Sequence, residues 1–177
     1  MGTYTKASVK RPGGSPGAGL HPQDELIVID CEDIATFPER DADGVNVTEA
    51  VVMGSGKKAV AIYMTPGTYS IESNSDGDPD QEGFQPQIQG SHPGNEEEIR
   101  KFKANWLGKR CICILRYCNG KKPDIFGTPC NPMRLQVAYS GSADSNMNQF
   151  TFQQTSKGED IGIYLGAMPA IEGESAE

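Results

Sequence analysis

The sequence predicts a mainly β protein, an antiparallel β-sandwich or barrel with one flanking α-helix. Three observations carry this. About eight short runs are β-branched or alternate apolar with polar residues, which is the period of a strand. Twenty-one glycines and twelve prolines among 177 residues punctuate those runs with turns. One stretch, residues 95–107, instead carries apolar residues at the 3.6-residue spacing of a helix.

Taken in order, residues 1–23 read as a flexible arm, rich in Gly, Pro, Ser, Thr and Lys with few apolar anchors. A single β domain is expected over residues 24–166. It opens with ELIVID (25–30), apolar enough for a strand covered on both faces. FPERDADG (37–44) reads as a loop, and EAVVM (49–53), KKAVAIYM (57–64) and TYSIES (68–73) as strands separated by GSG and TPG turns. The polar segment 74–95 reads as a loop, longer than ordinary connections.

The helix should start at Asn95 as cap, with Glu98 as capping-box partner and three glutamates at the positive end of the dipole. Ile99, Phe102 and Trp106 share one face, with Lys103 at its edge. Glu96 with Arg100 and Glu97 with Lys101 are favourable pairs on the outer side, and Gly108 ends the helix. A stripe this narrow suits a helix lying on a sheet or across its open end. RCICILRYC (110–118), MRLQVAYS (133–140), QFTFQQT (149–155) and IGIYLG (161–166) complete the strands. Residues 167–177 read as an acidic, flexible tail.

The formal charge of −8 argues against a general nucleic-acid binder, which needs a basic surface. No apolar run approaches the roughly 20 residues that span a bilayer, so no membrane partner is expected. MGTYTKASVKRPGG has basic residues without a following apolar segment, and Lys6 stands where a myristoylation signal needs Ser or Thr. Folding in a cytoplasm is the expectation, with the five cysteines kept as thiols.

Few residues invite chemistry. Cys111 and Cys113, then Cys118 and Cys130, suggest zinc, but the first pair is one residue apart where structural sites use two to four. Buried thiols in a sheet are the plainer reading. DGDPDQEG (76–83) resembles a calcium loop only faintly, because Gln81 and Gln87 stand where the pattern wants Gly and Glu. GSGKKA (54–59) lacks the spacing of a phosphate loop, and neither His21 nor His92 adjoins a nucleophile in sequence. No catalytic, metal-binding or cofactor-binding residue is expected; Ile99, Phe102 and Trp106 are the expected structural or interface residues.

ELIVIDCEDIATFPERDADGV, TPGTYSIESNSDGDPDQEGFQPQIQGSHPG, the helix with NWLGK, FGTPCNPMRLQVAYSG, NQFTFQQTSKG and IGIYLG together resemble structural proteins of phages infecting Bacteroides-type bacteria. They look like tail tube or tail-ring subunits, and the resemblance covers residues 24–166. It implies a tail-tube-like sandwich with a helix at its flank. It also implies hexameric rings that stack through arms and a long loop, contacts with other virion tail proteins, and a lumen that DNA crosses without specific binding. It implies no catalytic residue and no cofactor, and a place in the virion tail after assembly in the host cytoplasm. The alternative expectation is a monomeric β-sandwich module binding carbohydrate or protein through Tyr63, Tyr69, Trp106, Tyr117 or Tyr139. An enzyme would need His21 or His92 beside a cysteine or carboxylate.

Overall fold

The computed structural model describes residues 6–173. Its strands are β1 (Pro22–Asp30), β2 (Ile34–Thr36), β3 (Asn46–Val47), β4 (Val52–Met53), β5 (Val60–Tyr63), β6 (Ser70–Asp76), β7 (Gly83–Pro93), β8 (Cys111–Tyr117), β9 (Asp124–Phe126), β10 (Met133–Gly141), β11 (Asn146–Gln154) and β12 (Gly162–Tyr164). The helix α1 (Glu97–Trp106) lies between β7 and β8. Among the described residues ten strands join one sheet, and β2 and β4 form a separate ribbon.

The sheet is organised by two runs that have no polar face. Leu26–Asp30 of β1 and Cys111–Leu115 of β8 are buried throughout. They pair antiparallel, Leu26 opposite Leu115 and Ile29 opposite Ile112. Because successive side chains point to opposite faces, the pair feeds two cores. Leu26, Val28, Cys113 and Leu115 enter one, with Ile88, Phe126, Leu135, Phe150 and Phe152. Ile27, Ile29, Ile112 and Ile114 enter the other, with Val47, Ile125, Tyr164 and Ile171.

β1 is flanked by β5 and β8, and β8 continues through β9 and β12 to β3, the last pair being parallel. The remaining four strands run β10-β11-β7-β6 and join β8 only at Met133 opposite Cys111. This single junction lets the second half of the sheet fold over the first, and the core around Phe150 and Phe152 fills the space between. The result is sandwich-like, as the sequence predicts.

The helix lies on that core. Ile99 is buried, and Phe102 and Trp106 are half-buried against it. Phe102 stacks on Trp106 at 5.6 Å and meets Phe150 edge-on at 5.8 Å. Both geometries are favoured for aromatic pairs. Lys101 pairs with Glu97 at 2.6 Å, whereas Arg100 turns to the Asn95 carbonyl at 2.7 Å rather than to Glu96. Gly108, at φ +78°, takes the left-handed position just past the helix end.

Three sequence expectations are corrected. Segment 74–95 is not a long loop: it holds the end of β6, a short turn, and the eleven-residue β7. Strand β7 buries Pro86, Ile88 and Gly90 alternately between glutamines, so only one inward residue is conventionally apolar. A side chain at Gly90 would meet Met64 Sδ at 2.9 Å, so the position stays bare to admit the methionine. Second, the capping box does not form. The helix cap is Glu96, without a side-chain bond, and the Asn95 amide is engaged elsewhere. Third, the chain beyond residue 166 is anchored as far as it is described: Ile171 is buried, and Ala59 exchanges backbone hydrogen bonds with Ala170 and Glu172, each 2.8 Å. Residues 1–5 of the expected arm and 174–177 of the expected tail lie outside the described residues.

Ile114 is fully buried while Trp106 keeps a solvent-facing side. Ile114→Ala should therefore lower stability by about 2–5 kcal/mol. Trp106→Ala should cost less, roughly 1–2 kcal/mol, because only part of its area is withdrawn from water. Urea melts of the two variants give the order, and the reverse order would contradict the packing described.

Candidate functional site

Among the described residues the surface offers a broad cleft, strand ends and an open sheet edge. The cleft, of about 760 Å³, lies between the loop 37–44 and residues 128–130, with Glu159 at its rim. Its cation is already spent. Arg40 Nε meets Glu159 at 2.9 Å, while Nη1 and Nη2 donate to the carbonyls of Gly44 and Asp160 at 3.1 and 2.6 Å. Asp41 is equally committed: the backbone N–H of Val45, then the Asn46 side chain and backbone, hold its carboxyl below the usual range. These bonds shape a loop and leave neither charge free for a ligand.

The residues considered for chemistry are dispersed. His92 Nδ1 is 2.7 Å from the Tyr63 carbonyl, and its ring packs edge-on to Tyr63 and Phe150. His21 lies beside Cys118 at the strand ends, where the Cys118 amide donates to the His21 carbonyl at 2.8 Å. Both side chains are exposed, and no hydrogen bond joins them among the described residues. Cys111 and Cys113 are buried in the core under β10, where the Cys111 thiol donates to the Met133 carbonyl at 3.3 Å. Burial pushes the Cys113 thiol up, and burial with the nearby Cys111 pushes Cys31 up to about 11. Among the described residues no cluster of three or more His, Cys, Asp or Glu is placed to hold a metal ion. No helix among them is long and apolar enough to cross a membrane.

The aromatic side chains do not form one platform either. Tyr117 is buried and donates to Asp124 at 2.5 Å, and Tyr69 packs against the core. Trp106 is occupied by Phe102 and by Lys109, whose ammonium lies 5.7 Å from its ring. Tyr63 and Tyr139 remain exposed, on β5 and on the outer end of β10.

The helix face named by the sequence is an internal joint backed by a polar network. Lys103 Nζ donates to Asn95 Oδ1 at 2.7 Å and to Asn148 Oδ1 at 2.8 Å. Asn148, fully buried on β11, donates in turn to the Gly94 carbonyl at 2.7 Å. The ammonium takes the Asn95 oxygen that a capping box would have used, because a hydrogen bond to a charged donor is the stronger one. At the other helix end, Arg134 Nη1 donates to the Gly108 carbonyl at 2.6 Å, and Lys109 meets Asp30 at 2.9 Å.

What stays open is an edge. β5 is closed at one end by residues 170–172 and at the other by the Thr65 bond to the Ser91 carbonyl, 2.8 Å. Strand β6 pairs with β7 and has no strand on its other side among the described residues. Unpaired backbone groups along such an edge are a template for another strand. Glu72, Asn74 and Asp76 point outward, Ile71 and Ser73 are half-buried, and Asp76 meets Lys157 at 3.2 Å. Nearby, residues 6–21 are exposed throughout and carry neither strand nor helix. The arm was legible in the sequence, but the open edge was passed over, because 74–95 hid β7 and therefore the sheet that β6 borders. The alternation of glutamines in FQPQIQG was the available signal.

Asn148→Ala should cost about 1–3 kcal/mol by removing a buried amide and leaving its half-buried partners Lys103 and Gly94 short of a hydrogen bond. Denaturant melts test this, and a loss well under 1 kcal/mol would mean the network is idle. Cys118 and Cys130 are exposed and the other cysteines are not. At pH 8, thiol titration should therefore modify Cys118 and Cys130 rapidly, with Cys31, Cys111 and Cys113 reacting only on unfolding. Among known proteins, no family model, curated sequence or solved structure matches this chain.

Proposed function

We propose that this chain is a self-assembling virion structural subunit, a tail tube or tail-ring protein forming hexameric rings around a DNA channel. The observation that carries the assembly is the open edge of β6 beside a wholly exposed arm. Soluble β proteins pair, cover or charge their edges, and this one is charged yet left free at backbone level. The apolar helix face is turned inward, so it is not the surface offered to sister copies.

The ring and the phage setting are supported by the resemblance of residues 24–166 to tail tube subunits. The net charge of −8 suits a channel lining, since acidic groups facing a lumen repel the DNA backbone and let it slide. Binding of DNA would be non-specific and weak, and the partners would be copies of this chain and other tail proteins.

Light scattering and electron microscopy of the purified chain at rising concentration test the proposal. Rings or tubes with six-fold symmetry are expected. A chain that stays monomeric at every concentration would overturn it.

A further inference from the structure

The arm and the free edge match one another in charge, length and alternation. Residues 6–21 contain Lys6, Lys10 and Arg11 and no acidic residue. Segment 70–82, which spans β6 and its turn, contains Glu72, Asp76, Asp78, Asp80 and Glu82 and no Lys or Arg. Lys157 meets Asp76 and offsets only part of this charge.

The arm is also divided in a useful way. KASVKR (6–11) is free of Gly and Pro and able to extend, and PGGSPGAGLH (12–21) is a Gly/Pro-rich tether leading into β1. A six-residue strand spans about 20 Å, close to the length of β6. The tether reaches at most about 33 Å when extended. The arm leaves the domain beside the start of β6, where Leu20 and Pro22 line a small hollow with Gly67, Tyr69 and Ile71. Within one chain the arm does not take up the edge: Val9 is 97% exposed and the outer side of β6 carries no strand among the described residues.

We propose that residues 6–11 of one copy add as an extra strand to the β6 edge of a second copy. In an extended arm, Lys6, Ser8 and Lys10 share one face, and Ala7 and Val9 share the other. On β6, Glu72, Asn74 and Asp76 share the outward face, and Ile71 and Ser73 share the inner one. Centring Ser8 opposite Asn74 sets both lysines opposite Glu72 and Asp76, whichever way the added strand runs. Opposite charges facing across a strand pair favour that register. The backbone bonds supply affinity, and the two ion pairs supply register and sensitivity to salt. This interface deepens the assembly reading and rests on it.

Two measurements test the inference. In a Cys118→Ser/Cys130→Ser background, Ser8→Cys with Asn74→Cys should yield a ladder of disulfide-linked chains on non-reducing electrophoresis. Cross-links confined within single chains, or none, would overturn the exchange between copies. Separately, Lys6→Glu/Lys10→Glu should raise the concentration for half-assembly about tenfold or more. Glu72→Lys should do the same, and mixing the two variants should restore association. The arm is exposed, so its charge reversal tests the contact without disturbing the core. If a chain lacking residues 1–11 assembles as well as the intact one, the strand exchange is wrong and the assembly reading stands. If the intact chain never assembles, both fall.

Discussion

The structure depends on the pairing of β1 with β8. Both strands are apolar on both faces, so neither can lie at a surface or edge. Each must have sheet neighbours on both sides and a packed layer above and below. That requirement generates the two cores. One is filled by the folded-over β10-β11-β7-β6 half and α1, the other by short strands, the β2–β4 ribbon and the chain leading to Ile171. The two strands supply ten of the buried apolar side chains and with them a large share of the hydrophobic stabilisation.

The helix answers a local need of that arrangement. The folded-over half leaves the Phe150 side of its core exposed, and Ile99, Phe102 and Trp106 cover it. Cover alone would let the helix slide. The bonds of Lys103 to two amides, with Asn148 tied to the Gly94 carbonyl, fix where it sits. The ammonium is half-buried and held by neutral oxygens, and the outer helix face, with Glu97 and Lys101, is left to water. With the helix face spent inside, the surface retains the outer edge of β6 and the exposed residues 6–21.

Much of the fold was legible in particular residues. ELIVID announced a strand covered on both faces, because it packs β-branched and apolar residues without a polar alternation; RCICILRYC announced a strand, and the structure showed it buried on both sides. Ile99, Phe102 and Trp106 announced an inward helix face by spacing, and Gly108 its end. β7 was illegible by composition: its inward positions are Pro86, Ile88 and Gly90, chosen to fit Met64 and the neighbouring strands rather than to be greasy. The helix cap failed because a lysine eight positions along the chain reached Asn95 first. The tail beyond residue 166 looked loose because its anchors, Met168 and Ile171, are two large apolar residues among small and acidic ones.

The sequence by itself determined a mainly β chain with one helix, the two central strands, the inward helix face and an acidic surface with a basic arm. These follow from local periodicity and charge, which need no knowledge of neighbours. Only the tertiary structure decided that the sheet folds over at Cys111 and Met133, that β7 exists, and that β6 is left with an open side. Those are facts of pairing between residues far apart in the chain, and strand pairing is settled by which surfaces fit, not by either partner's composition.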